Sequence, residues 1–186
     1  MSLQSLNIDR NHRIESVRRV DSPNCDQRPY GERLSLIVIH AISLPPGSFG
    51  GPHIENLFTN CLDFEAHTSF ESLKGLHVSS HLVIARDGNV TQYVPFNLRA
   101  WHAGESQYRN RSDCNNFSIG IELEGTWEVR FTDAQYGILS EILRCLLDHY
   151  PTISRDSIVG HSEISRGRKW DPGLQFDWKR VMRSVV

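Results

Sequence analysis

The chain has 186 residues, of which 39% are apolar and 23% charged, and a formal net charge of −2 at pH 7. That length lets one domain bury its own core without staples, and the near-balanced charge leaves no basic stripe for nucleic acid. No stretch approaches the ~18 apolar residues of a membrane-crossing helix, and Met1 to Arg10 holds no apolar run of the signal-peptide kind, so a cytoplasmic protein with neither membrane nor nucleic acid as partner is expected. Cys25, Cys61, Cys114 and Cys145 are far apart and none forms a Cys-x-x-Cys pair, which predicts reduced thiols rather than a disulfide framework. No repeat or long linker interrupts the chain, so it reads as one domain.

Residues 34–39, Leu-Ser-Leu-Ile-Val-Ile, predict a buried strand closed by His40. The Pro- and Gly-rich run from Leu44 to Pro52 predicts a loop, and residues 53–60 a short helix. A hairpin follows, with strands from Val78 to Ala85 and from Val90 to Val94 around the turn Arg86-Asp87-Gly88-Asn89. Residues 117–123 alternate on a period of two, which sets Phe117, Ile119, Ile121 and Leu123 on one face and Ser118, Gly120 and Glu122 on the other. Thr132 and Gln135 form a capping-box signature, and Tyr136, Leu139, Ile142, Leu143, Leu146, Leu147 and Tyr150 then recur at helical spacing until Pro151. Ser157 to Gly160 reads as a strand leading to His161, and Asp177 to Val186 as a C-terminal helix after a loop. Strands mixed with helices, one pair of them a hairpin, predict an α/β fold: a mixed β-sheet flanked by α-helices.

Among nine histidines, His40 and His161 each follow a strand, where side chains leave the core for a cleft. Asp171 comes ten residues after His161. Two imidazoles and a carboxylate leave a tetrahedral zinc one open position, the form of a catalytic site. The same residues also fit a bland reading, as hydrogen-bonded strand-end histidines and a turn-forming aspartate before Pro172. Glu122 and Glu124 share the polar strand face, and alternation does not choose between them. Lys169 lies in the charged run Arg166-Gly167-Arg168-Lys169, which reads as a solvated loop. His81, inside the hairpin, reads as structural or as an outer partner of a ligand.

Four segments carry a more specific signal: Val38 to Gly47, Arg99 to Gly104 (Arg-Ala-Trp-His-Ala-Gly), Asn115 to Thr126, and Lys169 to Gly173 (Lys-Trp-Asp-Pro-Gly). They resemble, in order, the motifs of the AmpD family, bacterial recycling amidases acting on 1,6-anhydro-N-acetylmuramyl peptides. That family belongs to the superfamily of type 2 N-acetylmuramoyl-L-alanine amidases and peptidoglycan recognition proteins. The resemblance runs from Val20 to the C-terminus and implies a single amidase domain over residues 1–186, with its core at 20–186. It implies Zn2+ held by His40, His161 and Asp171, catalysis by Glu122 and Lys169, and a substrate groove bordered by Trp101 and His102. The implied substrate is an anhydro-muropeptide, cut between N-acetylmuramic acid and L-alanine during cell-wall recycling.

The sequence departs from the family at several places. Ala41 stands where relatives often carry Asn, and His77 and Asp113 stand where some place arginines facing the substrate. Ser165-Arg166 and Trp170 also differ from the usual loop around the lysine. Three rival readings follow from the same residues: an amidase acting on intact peptidoglycan, a muropeptide-binding module without catalysis, and a fold held by structural zinc. The apparent full ligand set argues against the second, and the lack of an evident fourth ligand against the third.

Overall fold

The computed structural model describes residues 6–185. Met1 to Ser5 and Val186 lie outside the described residues, and with them half of the N-terminal signal-peptide reading and the last residue of the expected C-terminal helix. In chain order the elements are β1 (Arg18–Arg19), β2 (Cys25–Gln27), β3 (Leu36–Ile42), α1 (His53–Phe58), β4 (Leu82–Ile84), β5 (Val90–Gln92) and β6 (Leu98–Ala100). There follow β7 (Gln107–Tyr108), β8 (Arg111–Ser112), β9 (Ser118–Glu124), α2 (Asp133–His149), β10 (Ile158–Gly160), α3 (His161–Ile164) and α4 (Trp178–Ser184).

Six strands form one mixed sheet in the order β1-β5-β4-β9-β3-β10. Only β4 and β5 pair antiparallel, as the expected hairpin; the other neighbours are parallel. Parallel strands are covered on both faces, and β9 is buried at every position. Ile119, Ile121 and Leu123 pack with Ile37 and Ile39 beneath the apolar stripe of α2, while Leu36, Val38 and Phe117 join a separate cluster with Val159 and Ile164. Phe117 therefore parts company with the face on which its alternation set it, because it precedes the first strand residue. Helix α2 begins as expected: Thr132 accepts from the Gln135 amide, and the Gln135 side chain returns to the Thr132 amide.

The other sheet face is where the expectations need correction. His40 does not close its strand. Pairing of β3 with β9 continues through Ile42 opposite Glu124, so His40 is held mid-strand with a rigid backbone on both sides. The hairpin strands are shorter than expected: Ser79 donates its amide to Trp101, and His81 donates to Gly120 of β9 while its carbonyl accepts from the Tyr93 amide just past β5. The segment after His161 is not all loop: it turns directly into the short helix α3, with Glu163 reaching back to the Gly160 amide at 3.0 Å. All four cysteines are free, as predicted. Among the described residues, no helix is long and apolar enough to cross a membrane.

Candidate active site

The sheet register assembles the site. His40 on β3 sits opposite Glu122 on β9, and Ile39 sits opposite Gly160 on β10, so His161 follows at the level of His40. Residues 121 positions apart thus become neighbours: His40 Nδ1 and His161 Nδ1 are 3.0 Å apart. Asp171 closes the group from a loop tied to α3 by the Ser162 amide, which donates to the Asp171 carbonyl. Gly160 makes this approach possible, because a Cβ there would lie 2.8 Å from Pro172 Cδ. Asp171 Oδ2 lies 3.0 Å from His161 Nδ1 and 3.2 Å from His40 Nδ1.

The protons on these rings decide what the trio can hold. His161 Nε2 is 3.0 Å from the Ala103 carbonyl. A carbonyl only accepts, so Nε2 carries a hydrogen, and in the neutral imidazole Nδ1 presents a lone pair. That lone pair faces a carboxylate oxygen and a second imidazole nitrogen at hydrogen-bond distance. Three electron-pair donors at such spacing repel one another and are relieved by a cation shared among them. One proton serves two of them at best, whereas tetrahedral ligands about 2.0–2.1 Å from a metal stand about 3.3 Å from each other. The donor set therefore fits a metal ion. Burial pulls His40 down to about 4, against the opposing pull of Asp171, which keeps its imidazole neutral and available as a ligand. Burial alone would raise Asp171, yet the contacts of His161 and His40 outweigh it and hold the carboxyl below the usual range.

The two acids left open by strand alternation separate clearly. Glu124 accepts from the Gly50 amide through Oε1 and from the Arg86 amide through Oε2 at 3.3 Å, so it anchors the Pro/Gly loop and the hairpin turn. Glu122 is buried beside the donors, with Oε1 3.9 Å from His40 Nδ1, and its Oε2 has no hydrogen-bond partner among the described residues. Burial, reinforced by the charge of Asp171, pushes Glu122 well above the usual carboxylate range, while the charge of Lys169 draws it back. A cation on the three donors acts in the same direction as Lys169. Lys169 is exposed and lines a cleft with Asp171, Trp127 and Trp170.

Neighbouring Arg168 is exposed, as its sequence context suggests, but its guanidinium is anchored. Its Nη2 donates to the carbonyls of Ala103 and Glu105 at 2.8 and 2.7 Å and to Ser165 Oγ at 2.8 Å. Trp101 is half-buried, with its amide on the Asn24 carbonyl. His102, expected to border the groove, lies inside: its Nδ1 is 3.0 Å from His40 Nε2 and its Nε2 is 3.1 Å from Ser118 Oγ. With both nitrogens engaged behind a ligand, the imidazole has none free for substrate. Asn115 and Ser118 lie in a quoted motif, but their contacts with the Trp-His-Ala-Gly segment were not legible, because only the register of β9 brings them beneath it. His77 contacts Asn60 Oδ1 at 3.1 Å, and Asp113, with φ +57°, caps a single 3-10 turn.

Comparison with known proteins agrees with this arrangement. The family model described as N-acetylmuramoyl-L-alanine amidase matches residues 30–174. The chain is 55% identical over 167 residues to the 1,6-anhydro-N-acetylmuramyl-L-alanine amidase AmpD of Escherichia coli strain K12, covering 90% of this chain and 91% of that one. A crystal structure of a Se-Met AmpD derivative superposes with a TM-score of 0.92 at 50% identity, over 95% of this chain and 98% of that one. The E. coli amidase AmiD, solved with anhydro-N-acetylmuramic acid-L-Ala-D-γ-Glu-L-Lys, superposes with a TM-score of 0.61 at 26% identity, over 86% of this chain and 61% of that one. The matched span takes in both histidines, both acids and the loop that delivers Asp171, and on that footing the chain belongs to the N-acetylmuramoyl-L-alanine amidase family.

Proposed function

We propose that the protein is a zinc-dependent amidase that hydrolyses the bond between 1,6-anhydro-N-acetylmuramic acid and L-alanine in muropeptides, in a cytoplasmic recycling role. One observation carries the reading: two imidazole Nδ1 atoms and one carboxylate oxygen converge to 3.0–3.2 Å beside a buried glutamate with an unpartnered oxygen. The substrate choice rests on likeness to the E. coli AmpD amidase, whose name specifies the 1,6-anhydro sugar, at 55% identity.

His40, His161 and Asp171 are the zinc ligands in this reading. When bound there, zinc would supply a Lewis acid to polarise an amide carbonyl and to acidify water. Glu122 takes the proton from the attacking water through its free oxygen and returns it to the departing alanine nitrogen. Its burial suits the task, since a carboxyl pushed above the usual carboxylate range is a stronger base toward the attacking water. Lys169, on the open side of the cleft, holds positive charge toward the oxyanion that forms as the carbonyl is attacked. Trp127 and Trp170, exposed on the same cleft, offer ring faces to the sugar.

Digestion of purified anhydro-muropeptide and intact murein side by side, with products weighed by mass spectrometry, tests the proposal. Release of the free peptide from the anhydro substrate, abolished by a chelator and restored by zinc, is the expected result. Faster turnover of intact murein would move the protein to the lytic reading, and binding without cleavage to the recognition-module reading.

A further inference from the structure

His102 and Ser118 occupy a position that the amidase reaction, as derived above, leaves unexplained. Both are buried, Ser118 completely, and both lie behind His40 as seen from Asp171 and His161. Their contacts form one chain. Ser118 Oγ is 2.6 Å from the Cys114 carbonyl. Two oxygens so close repel unless a hydrogen lies between them, and the carbonyl has none, so the Ser118 hydroxyl donates there. Its oxygen must then accept from His102 Nε2 at 3.1 Å, which places the hydrogen of His102 on Nε2. His102 Nδ1 is therefore an acceptor, and the hydrogen it receives at 3.0 Å belongs to His40 Nε2. A neutral His40 with its hydrogen on Nε2 presents a bare Nδ1 to Asp171 and His161.

We propose that His102, set by Ser118, is a positioning residue that fixes His40 in the tautomer able to bind metal through Nδ1. The inference rests on the metal-amidase reading and extends it to residues outside the ligand set. The sheet is built to admit this ring: a Cβ at Gly120 would fall 2.5–2.7 Å from three atoms of the His102 imidazole, so only glycine fits beneath it. The backbone carrying the ring is pinned as well, since Asn115 Oδ1 accepts from the His102 and Ala103 amides at 3.1 and 2.8 Å. The same segment serves the second ligand, because the Ala103 carbonyl takes the Nε2 hydrogen of His161. One short stretch, Trp-His-Ala-Gly, thus sets the tautomers of both imidazoles, through a side chain for one and a carbonyl for the other. Outer partners of this kind are worth about 10–100-fold in metal affinity.

Two measurements on the purified chain test the inference: zinc affinity by competition with a chromophoric chelator, and the tautomer of His40 by nitrogen-15 imidazole NMR on the metal-free protein. His102→Leu removes the acceptor and should weaken zinc binding about 10–100-fold with loss of the Nε2-H form of His40. His102→Asn keeps an acceptor oxygen near the Nδ1 position and should restore most of the affinity. Ser118→Ala, a milder change that decides the matter if His102→Leu does not fold, frees His102 to carry its hydrogen on Nδ1 and should weaken binding about 10-fold. His40→Ala is the control that separates the two hypotheses. If the wild type binds zinc no better than His40→Ala, the metal reading fails, while the tautomer measurement still judges the relay. Unchanged zinc affinity and an unchanged His40 tautomer in folded His102→Leu or Ser118→Ala would overturn the inference.

Discussion

Glu122 and Glu124 sit two residues apart on one strand face, and exchanging each for glutamine should produce opposite effects. Glu122 Oε2 has no partner among the described residues, and the nearest basic atom to Oε1, among the salt-bridge contacts, is His40 Nδ1 at 3.9 Å. Glu122→Gln therefore breaks no hydrogen bond and replaces a buried carboxyl by a neutral amide, so the melting temperature should hold or rise. Turnover should fall by about 10²–10⁴, the contribution of a positioned general base, with zinc still bound. Glu124→Gln loses a charged acceptor for the Gly50 and Arg86 amides and sets an NH2 group against one of them. Hydrogen bonds to charged groups contribute about 1.5–3 kcal/mol; a loss of about 2 kcal/mol lowers the melting temperature of a chain this long by roughly 4–8 °C. Its kcat should stay within a few-fold, with KM rising as the Pro/Gly loop loosens. Steady-state kinetics and thermal melts on both variants read the contrast. A Glu124→Gln enzyme that melts normally but does not turn over, beside an active Glu122→Gln, would reverse the assignment.

Lys169→Met should lower kcat and kcat/KM together by about 10²–10³, as for a group that acts on the developing oxyanion, whereas Arg166→Met, which removes an exposed charge from the same loop, should leave both unchanged. A rise in KM alone would make Lys169 a binding residue. Leu143→Ala, in the α2 stripe on the far face of the sheet, should cost about 2–5 kcal/mol in urea unfolding while the folded protein keeps its zinc affinity. A parallel loss of metal would mean that the two sheet faces are coupled more tightly than their separate packing implies.

Elements whose determinants are local were legible in the sequence. Helix α2 starts at its capping box and stops before its proline, because both signals act within a few residues of the ends they define. Strand ends were less legible. The extent of β3 depends on how far β9 accompanies it, and nothing in Ala41-Ile42 announces pairing with Leu123 and Glu124. The same holds for Val78 to His81, which has the composition of a strand but donates its amides elsewhere. Helix α3 escaped notice because four residues carry too little periodicity to register.

The candidate constellation was visible only as separate residues, and the reason is the register. His40 and Glu122 lie on two strands and His161 directly follows a third, and the parallel pairing of those strands aligns the three residues at one level, an alignment that local sequence does not encode. Resemblance supplied what spacing could not, pointing to His40, His161 and Asp171, which the fold brings together, and preferring Glu122 to Glu124. For His102 it implied a place on the groove, whereas the contacts of its ring run inward. A histidine beside a tryptophan in a groove-lining motif suggests contact with sugar, yet Gly120 opens a slot in the sheet that takes the ring inward. The glycine at the centre of Ser-Ile-Gly-Ile-Glu was the available clue. A glycine within a strand marks close approach by something large, and the nearest motif with a ring to spare was Trp-His-Ala-Gly. Read together, the two motifs describe one object: a strand that makes room for an imidazole, and an imidazole that holds His40 to the strand beside it.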